Sequence, residues 1–388
     1  GGVVKGVIVL AEFQDQKFTF SQKAINDKMN KVGYTDEYGS IGSAHDYFVA
    51  QSYGQFQPEF DVVGPVTLSQ NMAYYGANSQ GANDIRPHEM VAEACQLASQ
   101  QGLADMSDYD HDGDGWVDLV YVIYAGYPES SGAPGETIWP HAWYVYSGGG
   151  LLVTLDGVSL NAYACSAELN GNSGLNLDGI GTFCHEFAHT LGLPDLYDTN
   201  YEETGGWAAG LWNSTSLMDG GNQNNNYNTP PYFNAIEREI LELSKPITLE
   251  RNGSYTLHPI HLNGQYYKIP SVETPSEYYL LECRAKDGWD KYIGGTGMLV
   301  YHIDKSKPKV WLQNTVNTKP THQYADLIEA DRRNDVLTEY NYNLLWNISG
   351  VFFPYENVIS LTPASDPGII FWDRSEVKTS ITDIKRSG

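Results

Sequence analysis

The chain has 388 residues, 41% of them hydrophobic and 13% aromatic, with 23 basic against 48 acidic side chains and a formal net charge of −25. That length exceeds one ordinary core, so two folded domains are expected, and the composition is that of a globular protein. The negative surface repels phosphate backbones and anionic lipid, which excludes nucleic acid as an expected partner, while the acidic excess supplies oxygen ligands for hard cations such as calcium.

No apolar run reaches the ~18 residues of a membrane span, so none is expected. The opening "GGVVKGVIVLAEF" reads as a buried strand over Val3 to Phe13 that begins directly after a removed or uncloned leader. Two helical patterns come next, "KAINDKMNKVGY" and "GSAHDYFVAQSYG", then "FQPEFDVVGPVTL" with strand character. A longer helix is predicted in "NDIRPHEMVAEACQLASQQG", from near Asn83 or Asp84 to near Gly102.

"DYDHDGDGWVD" then places Asp108, Asp110, Asp112, Asp114 and Asp118 around Gly113 and Gly115. Carboxylates at alternate positions of a glycine-bent loop can converge on one ion, and crowding them without one costs repulsion, so a structural calcium site is expected. Counted from Asp110, the twelfth position is Tyr121 and not a bidentate glutamate, so the loop is not an EF-hand. "VDLVYVIYAGY" reads as a central strand, and "LLVTLDGVSLNAYACSAEL" as a hairpin turning at Asp156-Gly157. His141, in "IWPHAW", reads as a packed histidine. The four cysteines, Cys95, Cys165, Cys184 and Cys283, contain no CxxC pair; a Cys165–Cys184 disulfide and buried free thiols both remain open.

The segment "DGIGTFCHEFAHTLGLPDLYD" carries the chemistry. On a helix capped by Asp178, His185 and His189 share one face and can present two imidazoles to one metal ion. Glu186 sits beside them, placed to act as general base. Gly192 tolerates the left-handed conformation that ends such a helix and turns the chain back, bringing Asp195 up as third ligand. Two imidazoles and one carboxylate suit zinc with an open position for water, whose pKa zinc lowers to roughly 7. Glu237 and Glu239, on the later pattern "PPYFNAIEREILEL", are the alternative third ligands. Met218 in "SLMDGG" resembles the methionine turn beneath the histidines of metzincin-type zinc peptidases. Tyr227 and Tyr232 are candidates for a hydroxyl that stabilises an oxyanion.

After Ser244 the pattern changes to short strands broken by Gly, Asn and Pro. This marks residues 1–245 as an α+β domain and 246–388 as an all-β, sandwich-like one. His302–Asp304 with Asn314, Asn317 and Asp326 offers a second ion site in that half or, the reading preferred, ordinary polar loop chemistry.

"GTFCHEFAHTLGLPDLYD", "SLMDGG" and "TPPYFNAIERE" resemble the secreted zinc metallopeptidases of the immune inhibitor A family. So do "RPHEMVAEACQLA", "DGDGWVDLVYVIYAGY", "GWDKYIGGTGMLVYHID" and "DLIEAD". The resemblance implies a zincin-like catalytic domain with a mixed sheet, an active-site helix and a Met-turn, followed by the β-rich domain. It also implies an exported zymogen, held inactive by its own propeptide, that hydrolyses peptide bonds of extracellular proteins. The competing reading is a calcium-dependent adhesin or glycan-binding protein on the same scaffold, against which the intact Glu186 argues.

Overall fold

Valine, isoleucine and leucine dominate the first strand, β1 (Lys5–Glu12), and its six inner residues are all buried, as β-branched side chains flanked on both faces require. It sits inside a mixed five-stranded sheet of order β2-β1-β3-β7-β4. β2 (Glu59–Thr67) and β3 (Val120–Tyr124) flank β1 in parallel, β7 (Ala162–Ala167) runs parallel to β3, and β4 (His141–Tyr144) is the antiparallel edge. A computed structural model describes residues 4–80, 83–200, 207–208, 213–332, 336–337 and 348–387. Cα packing divides the chain into two units: Gly1–Thr190 with Asn226–Asn228, and Leu191–Asn225 with Thr229–Gly388.

In the first unit the helices follow the expected patterns with shifted ends. α1 (Gln22–Asn30) is capped by Ser21, and α2 (Ala44–Gln51) by a reciprocal capping box of Ser43 and Asp46. A short α3 (Met72–Gly76) precedes α4 (Pro87–Gln100), which starts later than the pattern suggests. Asp84 adopts a left-handed φ of 60°, and Pro87, with its fixed φ and missing N–H, suits the first helical position. The expected hairpin forms between β5 (Thr154–Leu155) and β6 (Val158–Ser159), with Asp156 and Gly157 both left-handed as a tight turn demands. The active-site segment forms α5 (Gly181–Thr190).

The second unit carries a five-stranded sheet of order β13-β12-β11-β10-β9. Its strands are β9 (Ile247–Thr248), β10 (Tyr267–Pro270), β11 (Glu277–Arg284), β12 (Gly297–Asp304) and β13 (Ala325–Ile328). All neighbours pair antiparallel except β9 with β10. A two-residue backbone pairing joins β8 (Trp207–Ala208) to β14 (Val336–Leu337). α6 (Ala235–Ile240), capped reciprocally by Asn234 and Glu237, is shorter than the run "PPYFNAIEREILEL". The stretch after Ser244 is strand-rich as read, but it also holds two short helices, α7 (Ile260–Asn263) and α8 (Pro308–Leu312). Its described strands lie in the one five-stranded sheet and the β14 pairing.

Candidate metal centre

Helix α5 is fixed by its apolar face. The Phe183 ring meets Phe60 of β2 at 4.7 Å and Tyr121 of β3 at 4.9 Å, both nearly edge-on, and Phe187 meets Phe48 of α2 at 5.3 Å. Each such pair adds about 0.5–1.5 kcal/mol beyond the area it buries. Gly6 of β1 permits the approach: a Cβ there would stand 3.1 Å from Phe60 and 3.2 Å from Phe187. With one face so anchored, the helix holds its polar side chains in place.

His185, Glu186 and His189 occupy that polar side. The imidazole centroids are 5.0 Å apart with planes at 89°, and Glu186 reaches both rings, 4.0 Å from Nε2 of His185 and 4.0 Å from Nε2 of His189. Gly192, at φ 110°, takes the chain out of the helix in a conformation that L side chains rarely adopt. Three residues on, one carboxylate oxygen of Asp195 lies within 4.8 Å of a ring nitrogen of each histidine, as those nitrogens do of one another. His185 and Asp195 are buried, at 5% and 6% exposure. Neutral nitrogen donors and one anionic oxygen, held out of bulk water, match the donor set of a zinc site.

Asp195 is held from a distance in sequence. Asn314 donates from Nδ2 to its Oδ2 at 2.7 Å and accepts its backbone N–H at 2.7 Å. Asn317 donates to the carbonyl of Leu196 at 2.8 Å, and the Leu196 N–H donates to the carbonyl of Met218 at 2.8 Å. Met218 is fully buried, and its turn is tied to the residue that follows Asp195. The sequence reading set Asn314 among ordinary polar loop residues of the second half and did not link it to Asp195; it stands at a left-handed φ of 59°, which asparagine tolerates.

The helix start differs from the expectation. Asp178 does not cap α5: its carboxylate accepts from Gly179 N–H at 2.9 Å and from Asn170 at 3.1 Å. The Gly181 N–H donates instead to the carbonyl of Tyr227 at 2.7 Å. A Cβ on Gly179 would lie 2.1 Å from that carbonyl oxygen, so only glycine fits. The 226–228 segment is further held by buried Lys28, which donates to Asn228 at 2.9 Å and faces Asp36 at 3.5 Å. Burial pushes Asp178 up to about 6, against the Asn170 and Gly179 hydrogen bonds and the Lys28 charge.

The remaining candidates are placed as follows. Glu237 is engaged in the α6 capping box, accepting the Asn234 N–H at 3.0 Å, and burial raises it to about 7. Glu239 accepts the Tyr278 hydroxyl and faces Lys268 at 3.6 Å and Lys305 at 3.5 Å. Neither joins the His185–His189–Asp195 group. Tyr232 stacks on His261 at 4.4 Å with its hydroxyl against Gly288. Burial first, and then Asp178, raise Tyr227 to about 12, which keeps its hydroxyl a proton donor at neutral pH. His141 is packed, its Nε2 2.7 Å from the Tyr163 hydroxyl and its Nδ1 3.4 Å from the sulfur of Cys165. All four cysteines are free thiols.

In the aspartate loop, Asp110, Asp112 and Asp118 each bring a carboxylate oxygen within 4.8 Å of the others. Asp108 lies in the 3₁₀ turn Met106–Tyr109, and Asp114 turns its carboxylate to the Trp116 N–H at 2.8 Å; neither joins the three. Asp110 accepts the N–H groups of Gly113, Asp114 and Gly115 at 2.9, 3.2 and 2.9 Å. Slight desolvation works against its charge, but the Gly115 N–H and the other donors hold it below the usual carboxylate range. Asp112 moves the other way: the Asp114 N–H favours its charge, but desolvation and the carboxylates around it push it up. Asp118 is 2.5 Å from Nδ1 of His111.

The family model for the immune inhibitor A peptidase M6 catalytic domain matches residues 11–243. The chain is 29% identical over 198 residues to the pre-pro-metalloprotease PrtV of Vibrio cholerae serotype O1, a match covering 45% of this chain and 21% of that protein. It is 27% identical over 259 residues to the immune inhibitor A of Bacillus thuringiensis subsp. alesti, covering 56% of this chain and 36% of that protein. The matches thus span well under half the length of either relative.

Proposed function

The chain belongs to the immune inhibitor A (M6) peptidase family, and from that premise we propose that it is a secreted zinc-dependent endopeptidase acting on extracellular proteins. The observation that carries the reading is the convergence of His185, His189 and Asp195, with the Glu186 carboxylate 4.0 Å from both imidazoles. His185 and His189 are the neutral ligands, Asp195 the anionic one, and Asn314 fixes the orientation of Asp195 by its paired hydrogen bonds. A zinc ion there supplies Lewis acidity, polarising the scissile carbonyl and making water nucleophilic near neutral pH. Glu186 takes the proton of the attacking water on its carboxylate and delivers it to the leaving amine nitrogen. Tyr232 is packed against His261 and Gly288, which leaves Tyr227 as the candidate hydroxyl to donate to an oxyanion.

Residues 1–245 form the catalytic portion of this proposal, zincin-like with Met218 in its Met-turn, and 246–388 a β-rich accessory portion. One relative is named a pre-pro-metalloprotease, which supports synthesis as a zymogen whose propeptide blocks the site. The loop carrying Asp110, Asp112 and Asp118 takes a structural calcium ion, with Asp108 and Asp114 outside its inner set. The deciding experiment is Glu186→Gln: casein hydrolysis falls by roughly 10²–10⁴-fold while elemental analysis still finds one zinc per chain. Cleavage at the parental rate sinks the mechanism.

A further inference from the structure

Lys28 of α1 is a costly side chain that the chemistry above does not use: only 2% of it is exposed. An ammonium group loses most of its hydration in such a place, and burial pulls its pKa down, while Asp36 and Asp178 act to raise it. Its Nζ donates to Oδ1 of Asn228 at 2.9 Å and faces Asp36 at 3.5 Å. Asp36 already accepts the Ser40 hydroxyl at 2.9 Å and the N–H groups of Tyr38 and Ser40 at 3.0 and 3.2 Å. What the lysine adds is its grip on Asn228.

Asn228 closes a strained turn. Asn225, Asn226 and Tyr227 stand in succession at φ 52°, 50° and 68°. That left-handed conformation is an outlier for a bulky residue such as Tyr227 and persists only where the surroundings over-determine it. Asn228 and Asn170 supply the constraint, each donating from Nδ2 to the Asn226 carbonyl at 3.2 Å. The turn delivers the Tyr227 carbonyl to the N–H of Gly181, the first residue of α5, at 2.7 Å. His185 and Glu186 stand about one helical turn further on. Phe183 and Phe187 fix which face of α5 meets the sheet, and the Tyr227 carbonyl fixes where the helix begins. We propose that Lys28 is a positioning residue of the peptidase site: through Asn228 it locks the 226–228 turn, and with it the start of α5 and the place of the Glu186 carboxylate. A catalytic group displaced by about 1 Å can cost 10²-fold in rate, so a support this far from the chemistry still acts on turnover.

This inference rests on the reading of Glu186 as the base beside a zinc held by His185, His189 and Asp195. The test uses zinc-loaded, full-length protein and steady-state kinetics on a quenched fluorescent peptide. Lys28→Met, close in length but without charge or donor, lowers kcat by about tenfold or more while KM and the zinc content stay parental. Asn228→Ala gives the same fall, and the double variant falls no further, because both act along one path. Lys23→Met, on the exposed side of the same helix, leaves kcat unchanged. Parental kcat in both single variants overturns the proposal, as does a double variant whose losses multiply, or a fall in kcat that comes with loss of zinc. Where Lys28→Met does not fold, Asn228→Ala decides the same question. Failure of the underlying reading is distinct: Glu186→Gln would then cleave at the parental rate, whereas failure of this inference alone leaves Glu186→Gln inactive and Lys28→Met at full turnover.

Discussion

The helix motif and the aspartate loop each bring three ligand-type side chains within 4.8 Å, yet they are built on opposite principles. His185 and His189 are held by what lies behind them, an aromatic face locked to the sheet, and Asp195 by the Asn314 amide; the loop aspartates are held by the loop itself. Asp110 alone accepts three backbone N–H groups, and the loop lies largely in solvent. A preorganised, partly dehydrated set binds a metal strongly and gives it chemistry to do. A loop that has already satisfied its charges with its own backbone gains less from an ion. Losing the metal should therefore abolish function in the first and only soften structure in the second.

The sharpest way to break that contrast is His189→Ala. With two ligands left, zinc content falls from one per chain to background and casein cleavage falls with it, while the circular dichroism spectrum stays that of the parent. Since Phe183 and Phe187 and not the histidine anchor α5, a collapse of the fold would show that the support has been misassigned.

Asn314→Ala comes next. It leaves the three ligands intact and removes only the paired hydrogen bonds to Asp195, so zinc affinity should drop about 10–100-fold in competition with a chromogenic chelator. Activity then recovers in excess zinc. Unchanged affinity would reduce Asn314 to a loop brace.

This residue also marks how far the sequence could be read. The two histidines, the glutamate between them, Gly192 and Asp195 fall within eleven residues, where helical periodicity and glycine's conformational freedom suffice to predict their geometry. The alternating aspartates show by the same local logic that a loop gathers charge, but not which of the five converge: Asp108 and Asp114 are drawn off by a 3₁₀ turn and by the Trp116 N–H. Asn314 acts across 119 positions. Nothing local distinguishes it from the other asparagines of a Gly/Asn-rich strand region. The start of α5 failed for a similar reason: the backbone carbonyl of Tyr227, with no side-chain signature, accepts the N–H that Asp178 was expected to take. The positions of β1, β2 and β3 followed from the apolar runs, but the order of the strands and the edge strand β4 did not. The lengths of α4 and α6 did not, because Pro87 and the Asn234–Glu237 capping box set their starts.

Asp178→Asn probes the underside of the helix with a smaller effect. The native pKa of about 6 lies above the unfolded value near 3.8, so the folded state holds this proton more tightly. The contribution of Asp178 to stability is thus most favourable in acid and is lost as pH rises from about 4 through 6. At about 1.4 kcal/mol per unit, the two-unit shift bounds the effect at roughly 3 kcal/mol. Asparagine keeps an acceptor for Gly179 and carries no charge to desolvate. Its stability relative to the parent should rise between pH 4.5 and 7.5 in denaturant titrations. A constant difference across that range would mean that Lys28 already compensates the charge in full.

The smallest effect belongs to Asp112→Asn. The carboxylates of Asp110, Asp114 and Asp118 crowd Asp112, and it accepts one N–H, from Asp114 at 3.1 Å, which an asparagine oxygen can still accept. Without calcium the substitution relieves repulsion, so Tm rises slightly. With calcium it removes a ligand, so the increment in Tm that calcium gives the parent shrinks, while zinc content and casein cleavage hold at parental values. Should this single exposed change abolish hydrolysis, the loop would be coupled to catalysis and the division between a working site and a supporting one would fail. The slow, salt-dependent sensitivity expected of an exposed charge cluster separates that outcome from a simple loss of folding, which neither salt nor calcium would restore.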